Sequence, residues 1–444
     1  MKKSLCIACL LLLPFSGIAQ DIPASFSLQE AIDWGMEYNR TLKRASLEYQ
    51  KAHKQKWKTI SIGFPQINAS LQYQNNIEQP VSLIPAQFFG GQEGEFAEVV
   101  FGTKQTAMGM VELNQLLFDG TYVVGVQGIR HYIQTAANVL EKTQLEVKKA
   151  VVASYINVLV AQESLNILNK NDSALEKNLS ETQALMSNGF VEEESVEQLR
   201  LTLSSLKIQI NYAQKSVVLA ENVLKLLLGI EIEENPSLSD SLDGLVAKEL
   251  LEENDASDYS NNIDIRLAEN NVTSESLLYR LERAKALPSF SAFLNGMYMG
   301  NSDTFTFTES SQKWFGSSAF GLRVRVPIFS SLGRAASSQK AKLSLMQAET
   351  QLIETKAKIF VDWQNALNNF SLAKQNYQTA QDNVALAERI ERKNTTKFFE
   401  GLVGSFELRQ AQVQLYQAQQ NLLQSMRQVI LDKINLETIT NNAQ

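Results

Sequence analysis

The side chains that most often carry out chemistry are scarce in this chain. Histidine occurs only at His53 and His131, both in segments of helical composition, and cysteine only at Cys6 and Cys9. Both cysteines lie in an N-terminal segment that we expect to be removed, so the mature chain would hold no thiol for catalysis, a disulfide or a metal site. The sequence contains no HExxH, P-loop or GxSxG motif. Scattered carboxylates could still meet in space, but we expect no enzyme, cofactor or metal site.

Residues 1–19 have the composition of a secretory signal peptide. Two lysines precede an apolar run, Leu5–Leu13, and small residues precede the expected cleavage after Ala19. An alternative is a lipoprotein signal in which Cys9 is acylated. No later stretch of about 18 residues is apolar throughout, which argues against a transmembrane helix. A chain of this kind could then enter a membrane only as a β-barrel.

The chain of 444 residues consists of two related halves. Asn39 and Pro65 recur at the same spacing as Asn262 and Pro288. A period of roughly 210–220 residues indicates a duplicated half and not a solenoid repeat. Hydrophobic residues make up 44% and charged residues 20% of the sequence, which predicts a folded protein. The net charge of −7 argues against nucleic acid as a main partner.

Four long segments are composed of strong helix formers. The two longer ones lack glycine and proline altogether, and each is followed by a glycine turn and a shorter return helix. In chain order they are residues 129–188, 196–228, 334–400 and 406–436. At a rise of 1.5 Å per residue, the longer helices would be roughly 100 Å long. Their apolar positions recur less strictly than in a two-stranded zipper, which favours helices packed side by side in a sheath.

Four segments of about ten residues alternate between apolar and polar side chains, two of them less cleanly than the others. They are residues 67–74, 106–115, 290–298 and 319–326. Such strands suit a membrane barrel, but a sheet packed on a helix shows the same alternation. The loops 76–103 and 301–316 are long, polar and aromatic-bearing, which is typical of the outer side of a barrel. Four strands cannot close a barrel, whereas three chains would supply twelve.

These patterns predict a mainly α-helical protein with a small β part and eight consecutive segments. They are a signal peptide (1–19), N-terminal helices (20–64), a first strand pair (65–117), a first helical hairpin (118–230), an exposed acidic connector (231–260), a helix of the second repeat (261–287), a second strand pair (288–329) and a second helical hairpin with the C-terminal tail (330–444). The connector holds a proline and ten acidic residues, and we interpret it as a linker and not a binding site.

The ordered set of motifs resembles the TolC-type outer-membrane efflux proteins, the outer membrane factor family. The motifs are the Pro-led strands (Pro65, Pro288), the strand-to-helix steps (Leu117–Phe118–Asp119–Gly120, Val326–Pro327–Ile328–Phe329) and the Gly-x-Val hairpin turns. The resemblance implies a homotrimer in the outer membrane of a Gram-negative bacterium, with a shared twelve-stranded transmembrane barrel, a trimeric α-barrel reaching into the periplasm and an equatorial belt formed by the connector. It also implies a passive exit duct for a tripartite efflux pump or a type I secretion system, with a periplasmic adaptor and an inner-membrane pump as partners.

The resemblance implies site residues as well. The residues at the periplasmic tip that would contact the adaptor are Gly189, Val191, Ser195, Gly401, Val403 and Ser405. The alternative for the turns is a helix cap without a contact role. Candidates for an acidic gate are Asp382, Glu388 and Glu391, because carboxylate rings constrict pores and select cations. The alternative for these acids is a solvated helix face. Arg323 and Arg325 are candidates for the barrel lumen, and their alternative is pairing with acidic neighbours.

Two other classes of function compete with a duct. A periplasmic adaptor or coiled-coil tether would need no membrane barrel, but an adaptor carries lipoyl-like β halves around one hairpin, and this chain has two hairpins and no such halves. An enzyme is poorly supported for the reasons given above.

Overall fold

The computed structural model describes residues 22–251 and 258–441. The expected signal peptide, with Cys9, and part of the acidic connector lie outside these residues. The fold is mainly helical with a small β part, as predicted. Its elements are β1 (Ser25–Phe26), α1 (Leu28–Tyr38), α2 (Arg40–Ser61), β2 (Gln66–Asn75), β3 (Val81–Pro85), a 3-10 turn (Ala86–Phe89), β4 (Phe96–Val100), β5 (Gln105–Phe118), α3 (Gly120–Ser187), α4 (Glu193–Leu228), β6 (Ser237–Leu238), α5 (Leu242–Leu251), α6 (Ile263–Ala284), β7 (Ser289–Ser302), β8 (Trp314–Arg325), α7 (Gly333–Phe399) and α8 (Ser405–Thr440).

The described chain forms two compact units, each drawn from both halves of the sequence. The helical unit comprises Met1–Lys43, Thr143–Asp258 and Asp362–Gln444, and the sheet unit comprises Arg44–Lys142 and Tyr259–Val361, as far as these ranges are described. The duplicated pattern therefore does not fold as two separate halves. Equivalent elements of the two repeats lie in the same unit.

The long helix α7 carries a regular buried seam in the helical unit. Four of its buried residues recur every seven positions, at Ala366, Ala373, Ala380 and Ala387. A strict seven-residue period is typical of coiled-coil packing, and alanine lets helix axes approach closely. This regularity was not predicted from the sequence because alanine gives a weaker hydrophobic signal than leucine or isoleucine.

The described part of the acidic connector is packed, and the expectation of an exposed linker is wrong there. Leu242, Leu245 and Val246 are buried, and α5 packs on α8. Lys433 of α8 is only 2% exposed and forms an ion pair with Glu249 of α5 at 2.6 Å. The acidic residues therefore have structural partners as well as a solvated face.

Buried hydrogen bonds join the N-terminal strand to the same region. The Tyr155 hydroxyl donates to the carbonyl of Phe26 at 2.9 Å and to Asp240 at 3.0 Å. The Asp240 carboxylate also accepts from the backbone N–H of Leu28 at 2.6 Å. Burial is the main reason why the pKa of Tyr155 is raised. These contacts fix β1, which pairs in parallel with β6.

The sheet unit is built on one antiparallel sheet with strand order β2-β5-β7-β8. Ala69 pairs with Val111, Val111 with Gly296 and Gly296 with Ser318, so one row crosses all four strands. The outer edges of β2 and β8 have no strand partner among the described residues. The helices of this unit are tied by ion pairs such as Arg266–Glu141, at 2.6 Å.

Two loops differ from the prediction. The segment 76–103 contains an additional hairpin, β3–β4, in which Val81 pairs with Val100. The loop after β7 spans only residues 303–313, because β7 continues to Ser302 and β8 begins at Trp314. Both strands therefore extend into segments that the sequence analysis treated as loop.

One described helix, α3, is long and apolar enough to cross a membrane by length and composition, in contrast to the expectation of none. Its best 18-residue window has a mean hydropathy of 1.3, and 44% of that window is buried within the chain. Core helices of soluble proteins pass the same test, and Val151, Tyr155 and Ile156 of α3 are core residues.

Candidate functional site

The two hairpin turns have the same backbone geometry. Gly189 and Gly401 have φ angles of +79° and +72°. The N–H of Gly189 donates to Met186 at 2.9 Å and that of Phe190 to Leu185 at 3.0 Å. In the second turn, the N–H of Gly401 donates to the carbonyl of Phe398 at 3.0 Å, and the N–H of Leu402 donates to the carbonyl of Lys397 at 2.8 Å. This paired pattern is a Schellman cap, which explains why glycine recurs at both positions.

The residue after each glycine is apolar and exposed. Phe190 is 77% and Leu402 67% exposed, whereas Val191 and Val403 are half-buried. A Cβ added at Gly189 or Gly401 would meet no atom within 4 Å. The tip of each hairpin therefore presents an open apolar surface.

The structure brings the starts of the two return helices together. The hydroxyl of Ser405 donates to the side chain of Gln198 at 3.1 Å, and Gln198 donates to Glu194 at 2.8 Å. Ser195 lies in the first turn of α4, where its N–H donates to Glu192 at 3.1 Å. The predicted tip residues of both hairpins thus belong to one region. Sequence reasoning missed Gln198, whose role depends on a contact across 207 positions.

The acidic gate candidates lie along α7 but do not form one cluster. Asp382 is exposed, and Glu388 and Glu391 are half-buried. No group of three or more His, Cys, Asp or Glu residues able to hold a metal ion occurs in the described parts of the chain. Glu391 accepts a hydrogen bond from Thr395 at 2.9 Å. Burial, and then the negative charges of Glu391 and Asp172, raise the pKa of Tyr416 to about 12.

The sheet has one mainly apolar and one mainly polar face. Paired residues of neighbouring strands share a face, and successive residues alternate between faces. The first face carries Ile67, Leu71, Leu113, Leu294, Phe320 and Leu322, and the second carries Asn68, Gln72, Glu112, Asn114, Asn295 and Arg323. Leu71 is 92% exposed. The apolar face therefore has no protein cover from the residues that the structure describes.

Aromatic side chains lie at both ends of the apolar face. At one end, the rings of Phe118 and Phe290 are 6.0 Å apart. At the other, Tyr73 contacts Phe305 at 5.9 Å, and Trp314 and Tyr298 lie nearby in the register. Phe290 and Tyr298 are eight residues apart on β7, or about 27 Å at 3.4 Å per residue. Two aromatic girdles flanking an apolar band about 25 Å tall are typical of transmembrane barrels.

The two arginine candidates lie on the polar face, as their positions predict. The guanidinium of Arg323 lies 5.2 Å from the centre of the Phe293 ring. That ring also lies over Gly321, where an added Cβ would be 2.5 Å from it. Among the residues that the structure describes, neither arginine forms an ion pair, so the alternative of acidic neighbours has no support within one chain.

Residues 259–442, which contain α6, β7, β8, α7 and α8, match the family model for outer membrane efflux proteins. Comparison with curated protein sequences gives no match. Solved structures with a similar fold include CusC (TM-score 0.75, 19% identity, 96% of this chain and 95% of that one) and VceC of Vibrio cholerae (0.73, 14%, 93% and 95%). The Campylobacter jejuni CmeC outer membrane channel is also similar (0.70, 18%, 93% and 85%).

At these identities the solved structures show a shared fold over nearly the whole chain, including the half that the family model does not match. Both the fold and the family match are to outer-membrane proteins. The family match over residues 259–442 confirms the resemblance found in the sequence. The expected outer-membrane location, with a periplasmic helical extension, is confirmed with it.

Proposed function

We propose that three copies of this chain form a passive exit duct through the outer membrane. The observation that carries the proposal is the open-edged sheet, whose uncovered apolar face ends in aromatic residues on both sides. A four-stranded sheet with two free edges cannot satisfy its edge N–H and C=O groups within a lipid bilayer. Pairing β2 of one chain with β8 of the next in a ring of three satisfies them and gives twelve strands, an even number suited to a bacterial barrel.

The same arrangement assigns the two faces of the sheet. The apolar face contacts lipid, and the polar face with Arg323 and Arg325 lines the lumen. The long hairpins α3–α4 and α7–α8 of three chains then supply twelve helices to a periplasmic tunnel. Conduction is passive, and an inner-membrane pump supplies the energy and selects the substrate.

The tips of the hairpins are the proposed contact for a periplasmic adaptor. Phe190 and Leu402 offer exposed apolar surface beside two glycine turns that have no steric neighbours. The Ser405–Gln198 hydrogen bond ties the two hairpins together, and in this proposal that contact belongs to the closed state. Docking of the adaptor would splay the helices and break this bond. Asp382, Glu388 and Glu391 would face their copies in the other subunits and narrow the closed tip.

The proposal is tested by expressing the chain with its N-terminal segment in a Gram-negative host. The outer membrane is separated from the periplasm, extracted in mild detergent and imaged by negative stain. A three-fold, hollow particle in the outer-membrane fraction is the expected result. A soluble periplasmic monomer would contradict the duct and favour the adaptor or tether.

An efflux pump and a type I secretion system use the same kind of duct. Deletion of the gene separates the two. Intracellular accumulation of small dyes indicates efflux, and loss of a secreted protein from the medium indicates secretion.

A further inference from the structure

Four methionines form a two-by-two array on the polar face of the sheet. The motifs Met108–Gly109–Met110 on β5 and Met297–Tyr298–Met299 on β7 lie opposite one another. Met108 pairs with Met299, and Met110 pairs with Met297. All four side chains are half-buried. Only four other methionines follow Met1 in the sequence, so half of the methionines after Met1 are concentrated here.

The array interrupts a face that is otherwise mainly polar. On one side, the Thr106 hydroxyl donates to Asn301 at 3.2 Å. On the other side, Glu112 pairs with Asn295. In the rows of the array, β2 contributes Ser70 and Gln72. On the other flank, β8 contributes Ser317 and Phe315. Apart from Phe315, the array is therefore bordered by polar groups.

Methionine usually serves as an adaptable core residue, but this position is not a core. Among the described elements, none packs extensively on this sheet. The apolar face, which needs apolar residues for contact with lipid, is the opposite one. Apolar side chains in a water-filled lumen gain little from hydrophobic burial, so packing alone does not account for four of them in register.

We infer that the four thioethers form a binding site for a soft monovalent metal ion, Cu(I) or Ag(I). Thioether sulfur is a soft ligand that selects such ions over hard cations such as Mg²⁺ or Ca²⁺. Directly opposed residues have Cβ atoms about 4.5–5.5 Å apart, and three flexible torsions let each sulfur turn toward a shared ion. The inference rests on the proposed function, because the duct places this face in the lumen.

The chemistry of the site fits passage and not storage. Thioethers are neutral and have no proton to lose, so the affinity of the site is nearly independent of pH, unlike that of thiolate or imidazole sites. A conducting pore needs sites that bind well enough to admit an ion and weakly enough to release it. Three chains would place three such arrays around one lumen.

The test is silver binding to the purified protein in a chloride-free nitrate buffer. Isothermal titration with Ag⁺ gives stoichiometry and affinity, and X-ray absorption at the silver edge reports whether sulfur coordinates the ion. We expect about one sulfur-bound silver ion per chain. Replacing all four residues (M108L, M110L, M297L and M299L) should weaken binding at least tenfold and remove the sulfur signal. Leucine keeps the volume and removes only the sulfur.

The matched control replaces three methionines elsewhere, Met36→Leu, Met186→Leu and Met346→Leu, and should bind silver as the unaltered chain does. If the fourfold variant fails to fold, silver binding is measured in the same way on the two-residue variants M108L/M299L and M110L/M297L. Equal binding by the array variants and the control, or silver without sulfur neighbours, overturns the inference. Oligomeric state and membrane fraction are measured on the same samples, so failure to form a membrane trimer counts against the duct and not against the metal site.

Discussion

At the scale of single residues, Asp119 fixes the point where a strand becomes the long helix α3. Its carboxylate accepts hydrogen bonds from the backbone N–H groups of Thr121 at 2.7 Å and Tyr122 at 3.0 Å, and from the Thr121 hydroxyl. Partial burial raises the pKa of Asp119, but these hydrogen bonds outweigh it and leave the pKa below its usual value. This geometry is an N-cap.

We therefore expect Asp119→Ala to lower the stability of the sheet unit by about 1 kcal/mol at neutral pH. Because the folded-state pKa is lowered, the stabilisation is complete above the unfolded pKa and is lost as the pH falls through the folded pKa. Thermal unfolding in detergent followed by circular dichroism measures the effect. Asp119→Asn keeps an uncharged cap and should show little of this acid-dependent loss. Equal unfolding temperatures for Ala and Asp at neutral pH would refute the cap.

Gly401 offers a test of the tip that separates folding from function. Its left-handed backbone costs an ordinary residue roughly 1–2 kcal/mol, and the open space around it means that no clash adds to this cost. We expect Gly401→Glu to leave membrane trimers intact and to abolish dye efflux in the native host, because the new side chain occupies the proposed adaptor contact. A charged or bulky residue at Val403 should do the same.

The matched control is Gly94→Glu, at a glycine of the sheet unit with φ +90° and equally open surroundings. It carries the same backbone cost without altering the tip, so efflux should persist. Loss of membrane insertion in Gly401→Glu would mean that this glycine serves folding alone.

The residues of the tip were predictable to different degrees. Gly189 and Gly401 could be predicted as turn residues because helix ends often need a residue in the left-handed conformation. Their positive φ angles confirm that conformation. Gln198 and Tyr416 could not be found, since each acquires its role from helices far away in sequence. The paired Met-x-Met motifs were visible in the sequence, but only the strand register sets them opposite each other.

At the scale of elements, composition located the second long helix closely, whereas the first long helix begins nine residues before its predicted start because glycines lie within its first turns. The absence of glycine and proline predicted α7 to within a residue at each end, because nothing breaks the backbone hydrogen bonds there. The hairpin β3–β4 was missed because its exposed strands lack an alternating pattern that one buried face would impose.

The faces of β2 lead to a prediction about the whole sheet. Leu71 and Gln72 are neighbours on opposite faces, and both are exposed in a single chain. Arginine on the lipid face near the middle of a bilayer costs about 2–4 kcal/mol, whereas arginine on the lumen face is tolerated. We expect Leu71→Arg to reduce the amount of trimer in the outer membrane and Gln72→Arg to have little effect, as quantified by immunoblotting of membrane fractions. Equal behaviour of the two variants would place the sheet outside the lipid and favour the tether.

At the scale of the whole molecule, the oligomeric state depends on how the free edges of β2 and β8 pair between chains. In a closed ring, β8 of one chain lies antiparallel to β2 of the next, and residues of the apolar face approach across the seam. Cysteines on the two edges can form a disulfide when their Cα atoms are about 4.4–6.8 Å apart. Because both native cysteines lie in the expected signal peptide, introduced pairs can be interpreted directly.

We expect Ala69→Cys, combined in turn with Ser318→Cys, Phe320→Cys or Leu322→Cys, to give at least one variant that cross-links under oxidation. The bands on a non-reducing gel should end at the covalent trimer, because a ring of three leaves no free edge. Each single-cysteine variant is the control and should give at most a dimer. A ladder that continues beyond three chains would indicate an open filament, and the absence of any cross-link from every pair would show that β2 and β8 do not meet. Only a ladder ending at three supports a closed twelve-stranded barrel.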